Sequence, residues 1–153
     1  MRYEYVQPFV AAAQEILGGM LSGSVETGKI ELSPAPVSSR GVTAIVGVTG
    51  AGEGRVLFDM SRSTAMKISA ELNEEDEATL TSLAQDTLAK LASVMTGRAI
   101  SVLNDKGYRL RVSPPTLVVG DNMVVSNSDL ETMVVSLSTE YGEVVVNVAM
   151  VTE

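Results

Sequence analysis

The sequence contains no histidine, no cysteine and no tryptophan. Without histidine and cysteine, the chain cannot form a zinc site of the usual ligands, a thiolate nucleophile or a histidine-based catalytic triad. Disulfides are excluded as well, which fits a reducing compartment. The remaining chemistry is that of carboxylates, lysines, hydroxyls, amides and backbone. We therefore expect no metal site and no cofactor in this chain.

Basic and aromatic residues are also scarce. Lysine and arginine total 11 against 19 acidic residues, so the net charge is −8, and only two Phe and four Tyr could stack on bases. Nucleic-acid binding usually needs a basic face, so no nucleic-acid partner is expected. No segment approaches the roughly 18 apolar residues of a membrane span, and the first residues lack the apolar core of a signal peptide. These features predict a cytoplasmic protein with no membrane partner.

The length of 153 residues and the hydrophobic content of 45% suit a single domain covering residues 1–153. In the first half, apolar spacing predicts a helix over 3–21. Two β-rich runs, 41–49 and 55–60, flank a Gly-rich turn and predict a hairpin. Ser61 is expected to cap a short helix that ends near residue 72.

The second half repeats this theme of a helix followed by a hairpin. Its predicted elements are a long helix over 75–98, strands at 99–103, 108–113, 116–119 and 123–126, and a last hairpin of 132–138 with 143–151. Hairpins favour an antiparallel sheet with helices on one face, which is an α+β fold. The likeness of the halves, about 1–73 and 74–153, suggests an internal α-β-β duplication.

Two segments resemble a phosphate-binding loop and a cation-binding loop, but each has a simpler structural interpretation. The glycines between Gly47 and Gly54 lack the Gly-Lys-Ser/Thr ending of a phosphate loop, and they lead into a strand, so they indicate a hairpin turn. The acidic residues between Glu71 and Glu77 lack EF-hand spacing and are more typical of a solvated helix start.

The outer face of the long helix is the candidate functional surface. Asp86, Lys90, Ser93 and Gly97 recur there at helical spacing, opposite the leucines. Most residues of this face are short, so another protein could approach closely. Asp86 and Lys90 are spaced i,i+4 and could instead pair with each other. An ordinary solvated face is the alternative interpretation.

Four stretches together resemble the CheX branch of the CheC/CheX/FliY family of chemotaxis phosphatases. They are Val42-Thr-Ala-Ile-Val-Gly-Val-Thr-Gly-Ala-Gly-Glu-Gly54, Ser63-Thr-Ala-Met-Lys67, the helix ending Met95-Thr-Gly-Arg98, and Val112-Ser-Pro-Pro-Thr-Leu-Val-Val-Gly120. Their order and spacing agree over roughly residues 5–150. The resemblance implies an antiparallel sheet with two long helices on one side, a homodimer, and action on the phosphorylated receiver domain of CheY.

The resemblance also implies a catalytic Glu-x-x-Asn pair on the exposed face of the long helix. In the family the glutamate holds the receiver's active-site lysine, and the asparagine orients the attacking water. The receiver supplies its own magnesium ion and aspartate. Counted back from Gly97, the two positions fall on Lys90 and Ser93 in this chain. Lys90 and Ser93 keep the i,i+3 spacing of the family pair, but their residue types differ from glutamate and asparagine.

This departure leaves the enzymatic activity open between three hypotheses. The chain could be a phosphatase that uses other residues, with Asp86 as a substitute beside Ser93. It could be a non-catalytic module that binds a response regulator receiver through Asp86, Lys90, Ser93 and Gly97. It could also be a dimeric scaffold or adaptor with no receiver partner.

Overall fold

The computed structural model describes residues 3–33, 37–74, 79–125 and 131–152. The elements of the first half are α1 (Tyr3–Met20), β1 (Glu26–Ser33), β2 (Val37–Ser38), β3 (Gly41–Gly50), β4 (Gly52–Ser61) and α2 (Arg62–Asn73). Those of the second half are α3 (Ser82–Asp105), β5 (Leu110–Val112), β6 (Thr116–Val119), β7 (Val124–Val125), β8 (Thr132–Thr139) and β9 (Gly142–Thr152).

The main sheet has seven strands in the order β1-β8-β9-β4-β3-β5, with β6 also paired to β3, and every pairing is antiparallel. Each half contributes one hairpin, β3–β4 or β8–β9, and the hairpins meet where β4 pairs with β9. The α+β fold predicted from the sequence is thereby confirmed. This arrangement is compatible with an internal duplication, which stays a prediction.

The two long helices α1 and α3 contact each other and cover one face of the sheet. Alternate residues of β3, from Val42 to Val48, point into this core, as the period of two in a half-buried strand requires. Phe9 and Phe58 are among the largest fully buried side chains. None of the described helices is long and apolar enough to cross a bilayer.

Two short strands lie outside the main sheet, whose face opposite α1 and α3 we call the outer face. The chain must pass β8, β9 and β4 to travel from β1 to β3, and β2 lies on this path. It pairs with β7, which lies on the return path from β6 to β8. The buried Asp59 carboxylate of β4 holds the chain between β2 and β3, since it accepts hydrogen bonds from Ser39 Oγ at 3.0 Å, Arg40 N at 3.0 Å and Thr43 Oγ1 at 2.7 Å.

The predicted β-hairpins and the Ser61 cap are confirmed, and Thr64 N donates to Ser61 Oγ at 3.1 Å. The strand predicted at 99–103 is wrong, because α3 continues to Asp105 and buries Ala99 and Leu103 in the core. The same helix begins at Ser82 rather than at residue 75, and residues 75–78 lie outside the described part of the chain. Leu83, expected to face inward, is 49% exposed.

Candidate functional site

The candidate site lies on α3, the longest helix. Thr81 caps its start, where the Thr81 hydroxyl accepts a hydrogen bond from Ala84 N at 3.1 Å. Leu88, Leu91 and Met95 follow at spacings of three and four, and all three are buried against α1 and the sheet. This packing fixes which side of the helix faces outward.

The outward side carries the four residues singled out from the sequence. Asp86, Lys90 and Ser93 are exposed, and Gly97 is half-buried. With a rise of about 1.5 Å per residue, the four span about 16 Å along the helix axis. Lys90 and Ser93 are neighbours one turn apart, with about 5–6 Å expected between their Cβ atoms. Asp86 and Ser93 are separated by two turns, or about 10 Å.

The charges of this surface are not paired with each other. Within the described residues, Asp86 and Lys90 make no ion pair, although their i,i+4 spacing permits one. The neighbouring charge pair joins the two long helices, with Arg98 Nη2 lying 2.6 Å from Glu15 Oε1. Lys90 is exposed and has no ion-pair partner among the described residues, while Arg98 is paired with Glu15.

A groove of about 300 Å³ adjoins Lys90. Side chains from all three helices line it, among them Met20, Leu72, Asn73, Thr87, Lys90 and Val94. Met20 and Val94 are 46% and 42% exposed, and Leu83 lies on the same stripe of α3 as Val94. This groove could not be predicted from the sequence, because it forms only where the end of α2 meets α1 and α3. The one sequence signal was apolar residues at outward positions of α3.

Gly97 leaves open space beside the polar residues. A Cβ atom at this position would meet no heavy atom within 4 Å. Glycine inside a helix costs about 0.5–1 kcal/mol relative to alanine. Packing within the fold therefore does not account for a glycine here, whereas close approach by another molecule would.

The other sequence candidates lie apart from this surface. The Ser113-Pro-Pro segment forms the corner between β5 and β6, where Ser113 Oγ accepts a hydrogen bond from Gly47 N at 2.8 Å. Glu71 accepts one from Ser22 Oγ at 3.0 Å, and the acidic residues 75–77 lie outside the described ranges. No group of three potential ligands among the described residues could hold a metal ion.

Known proteins share this arrangement of helices and sheet. The family model for the chemotaxis phosphatase CheX matches residues 42–138, which is more than half of the chain. The chain belongs to the CheX family. A CheX from Thermotoga maritima, named as a CheY-P phosphatase, is 25% identical over 127 residues, covering 80% of this chain and 79% of the relative.

Solved structures agree in fold. The CheX of Borrelia burgdorferi, solved in complex with CheY, BeF3 and Mg²⁺, is 31% identical and has a TM-score of 0.85. That similarity covers 97% of this chain and 99% of the Borrelia chain. A CheC-like superfamily protein from Shewanella sp. PV-4 has a TM-score of 0.88 at 21% identity, over 99% of each chain. The CheX resemblance inferred from the sequence is confirmed.

Proposed function

We propose that this CheX-family chain binds a CheY-type response regulator through the outward face of α3 and hydrolyses the receiver's phosphoaspartate slowly or not at all. The observation that carries the proposal is the pair Lys90 and Ser93, exposed one turn apart in the middle of α3, where the family resemblance implies glutamate and asparagine. The docking face is kept, and the two side chains that act on the phosphoryl group are replaced.

The partner class is supported by the relatives. The Borrelia CheX was solved with CheY, and the Thermotoga CheX is named for its action on CheY-P. Beryllofluoride mimics a phosphoryl group, and its presence in the Borrelia complex supports an activated receiver as the partner. The family resemblance implies that the receiver supplies the magnesium ion.

The residue changes remove the means of hydrolysis. Faster loss of a phosphoryl group to water than in the receiver alone needs a side chain that orients the attacking water. A serine hydroxyl ends about one bond short of an asparagine amide, so Ser93 does not reach a water that an asparagine would orient. Lys90 carries a positive charge where the family resemblance implies a negative one. It therefore repels the receiver lysine that a glutamate would attract.

Asp86 does not restore the pair. It is exposed, but it lies about 10 Å along the helix from Ser93, whereas the family spacing of i,i+3 gives about 5 Å. One receiver active site could not engage both residues in the same way. Phosphatase chemistry rebuilt on Asp86 and Ser93 is therefore the weaker candidate, and Asp86→Ala tests it directly.

The deciding experiment measures phosphate release from a receiver of the same organism, charged with acetyl phosphate. The native chain is compared with the double variant Lys90→Glu, Ser93→Asn at receiver concentrations up to saturation. We expect native release to stay within about twofold of the receiver alone. We expect the double variant to accelerate release at saturating receiver, where the weaker docking caused by loss of the Lys90 charge no longer limits the rate. Fast release by the native chain would refute the loss of hydrolysis, and its disappearance in Asp86→Ala would establish the rebuilt mechanism.

Binding is measured separately by calorimetric titration of the beryllofluoride-activated receivers. Binding without hydrolysis supports the proposal, and absence of binding to every receiver of the organism would favour a scaffold role. The homodimer stays a prediction from the family resemblance, and the cytoplasmic location stays a prediction from the composition and the first residues. Sedimentation of the purified chain measures the former.

A further inference from the structure

We propose that the groove beside Lys90 takes one apolar side chain of the docked receiver, while Lys90 binds a carboxylate next to that side chain on the receiver surface. This inference rests on the proposed function and specifies which receivers the chain accepts. The groove is formed by Met20, Leu72, Asn73, Thr87, Lys90 and Val94.

The groove has the composition of a contact centre rather than of a small-molecule site. Its volume of about 300 Å³ is at the lower limit for ligand pockets. The wall side chains Met20 and Val94 remain 46% and 42% exposed, so apolar surface is left uncovered there. Apolar residues at the centre with charge at the edge is the usual composition of protein interfaces.

The positive charge of Lys90 indicates which group on the partner it would bind. The Lys90 ammonium makes no ion pair or hydrogen bond within the described residues. The chain as a whole carries a net charge of −8, so most of its surface repels an acidic partner. A carboxylate is attracted at Lys90 against this background, and such local complementarity sets orientation and partner choice.

A hydrogen bond joins two of the helices that line the groove. Thr87 Oγ1 donates a hydrogen bond to Asn73 Oδ1 at 2.8 Å and thereby ties the end of α2 to α3. α2 itself is closed by Glu74, whose left-handed backbone (φ 54°) lets its N–H donate to the Ala70 carbonyl. A preformed site loses less entropy on binding, which favours recognition of a single side chain.

Binding of the activated receivers provides the test. Each receiver of the organism, saturated with beryllofluoride and Mg²⁺, is titrated onto the full chain by calorimetry. For the receiver that binds most tightly, we expect Val94→Glu to weaken binding about tenfold or more, because it places a charge of the wrong sign in the groove. We expect Lys90→Gln to weaken it several-fold and to reduce the dependence of binding on salt.

Matched controls separate the groove from general surface effects. Val102→Glu adds the same charge at an exposed apolar position of α3 away from the groove, and Lys106→Gln removes a lysine from the end of the helix. Both controls should bind within about twofold of the native chain. Val94→Ala is the milder variant if Val94→Glu does not fold, and it should weaken binding about threefold.

The two proposals fail in different ways. If the native chain binds a receiver and the Val94 and Lys90 variants bind equally well, docking stands and the role of the groove is wrong. The role of the groove is also wrong if the controls lose as much affinity as the groove variants. If no receiver binds the native chain, the proposed function fails and the occupant named for the groove fails with it.

Discussion

Replacing Asn147 by valine should stabilise the fold. This side chain lies on the outer face of β9 and is 1% exposed, with Leu57 opposite it on β4 and Val134 opposite it on β8. Neither its Nδ2 nor its Oδ1 has a hydrogen-bond partner in the described structure. Buried polar groups are normally bonded, so we expect an amide without a partner at this position to carry an energetic cost.

The magnitude follows from the two orphaned groups. Each buried group without a partner costs about 1–3 kcal/mol, so the amide costs about 2–6 kcal/mol in all. Valine removes both groups and suits a strand, although its different shape can cost about 1–3 kcal/mol where packing is tight. We expect a net gain of about 2 kcal/mol, which corresponds to a rise of about 4–8 °C in the Tm of a chain of this size.

Urea and thermal unfolding of Asn147→Val and Asn147→Ala, followed by circular dichroism, measure this gain. Asn104 is the matched control, because its side chain donates to the Leu110 carbonyl at 3.0 Å and accepts from Leu110 N at 2.9 Å. Asn104→Ala should lose about 1–2 kcal/mol, while Asn147→Ala should be close to neutral. A loss above about 2 kcal/mol in both Asn147 variants would show that the amide is satisfied and would refute the reasoning.

Three further predictions concern the site and the sheet. Gly97→Ala should stabilise α3 by about 0.5–1 kcal/mol in thermal unfolding and weaken receiver binding in calorimetry; unchanged binding would exclude close approach at Gly97. Asp59→Asn should destabilise by about 3 kcal/mol in urea, because the amide nitrogen would face either Arg40 N or the hydroxyls of Ser39 and Thr43, and the charge that accepts these bonds is lost; a loss under about 1 kcal/mol would contradict a structural role for this carboxylate. The hydrogen bond and charge of Arg40 lower the pKa of Glu143, so this group stabilises the fold above its unfolded pKa and loses that effect as the pH falls through its folded pKa. Glu143→Gln should therefore be slightly less stable than the native chain at neutral pH and equal to it in acid, and a constant difference would argue against the linkage.

The hairpins could be predicted from the sequence because their signals are local. Alternating β-rich runs around a glycine turn specify pairing within about 20 residues, and Ser61 specifies a helix start by its own side chain. The end of α3 could not be predicted in this way. Gly97 and the β-branched Ile100 favour a break, but burial of Ala99 and Leu103 against α1 and the sheet overrides local propensity.

The candidate site, too, could be predicted from the sequence only where its signal is local. Helical spacing was enough to place Asp86, Lys90 and Ser93 on one exposed face, and the structure agrees on their exposure. The groove could not be predicted, since Met20 and Leu72 are distant from Val94 in sequence and meet only after the helices pack. The functional roles of the three polar residues stay predictions until binding and hydrolysis are measured.

The position of β9 has a consequence for folding of the protein during its synthesis on the ribosome. This strand is the last of the described elements, yet it occupies the sheet between β8 and β4. Until Gly142–Thr152 has emerged, β4 and β8 each lack their inner neighbour, and the apolar face that α1 and α3 cover cannot close. Long-range pairing of this kind folds slowly, and unpaired edges invite association. Nascent chains that stall before Gly142 should therefore depend on chaperones.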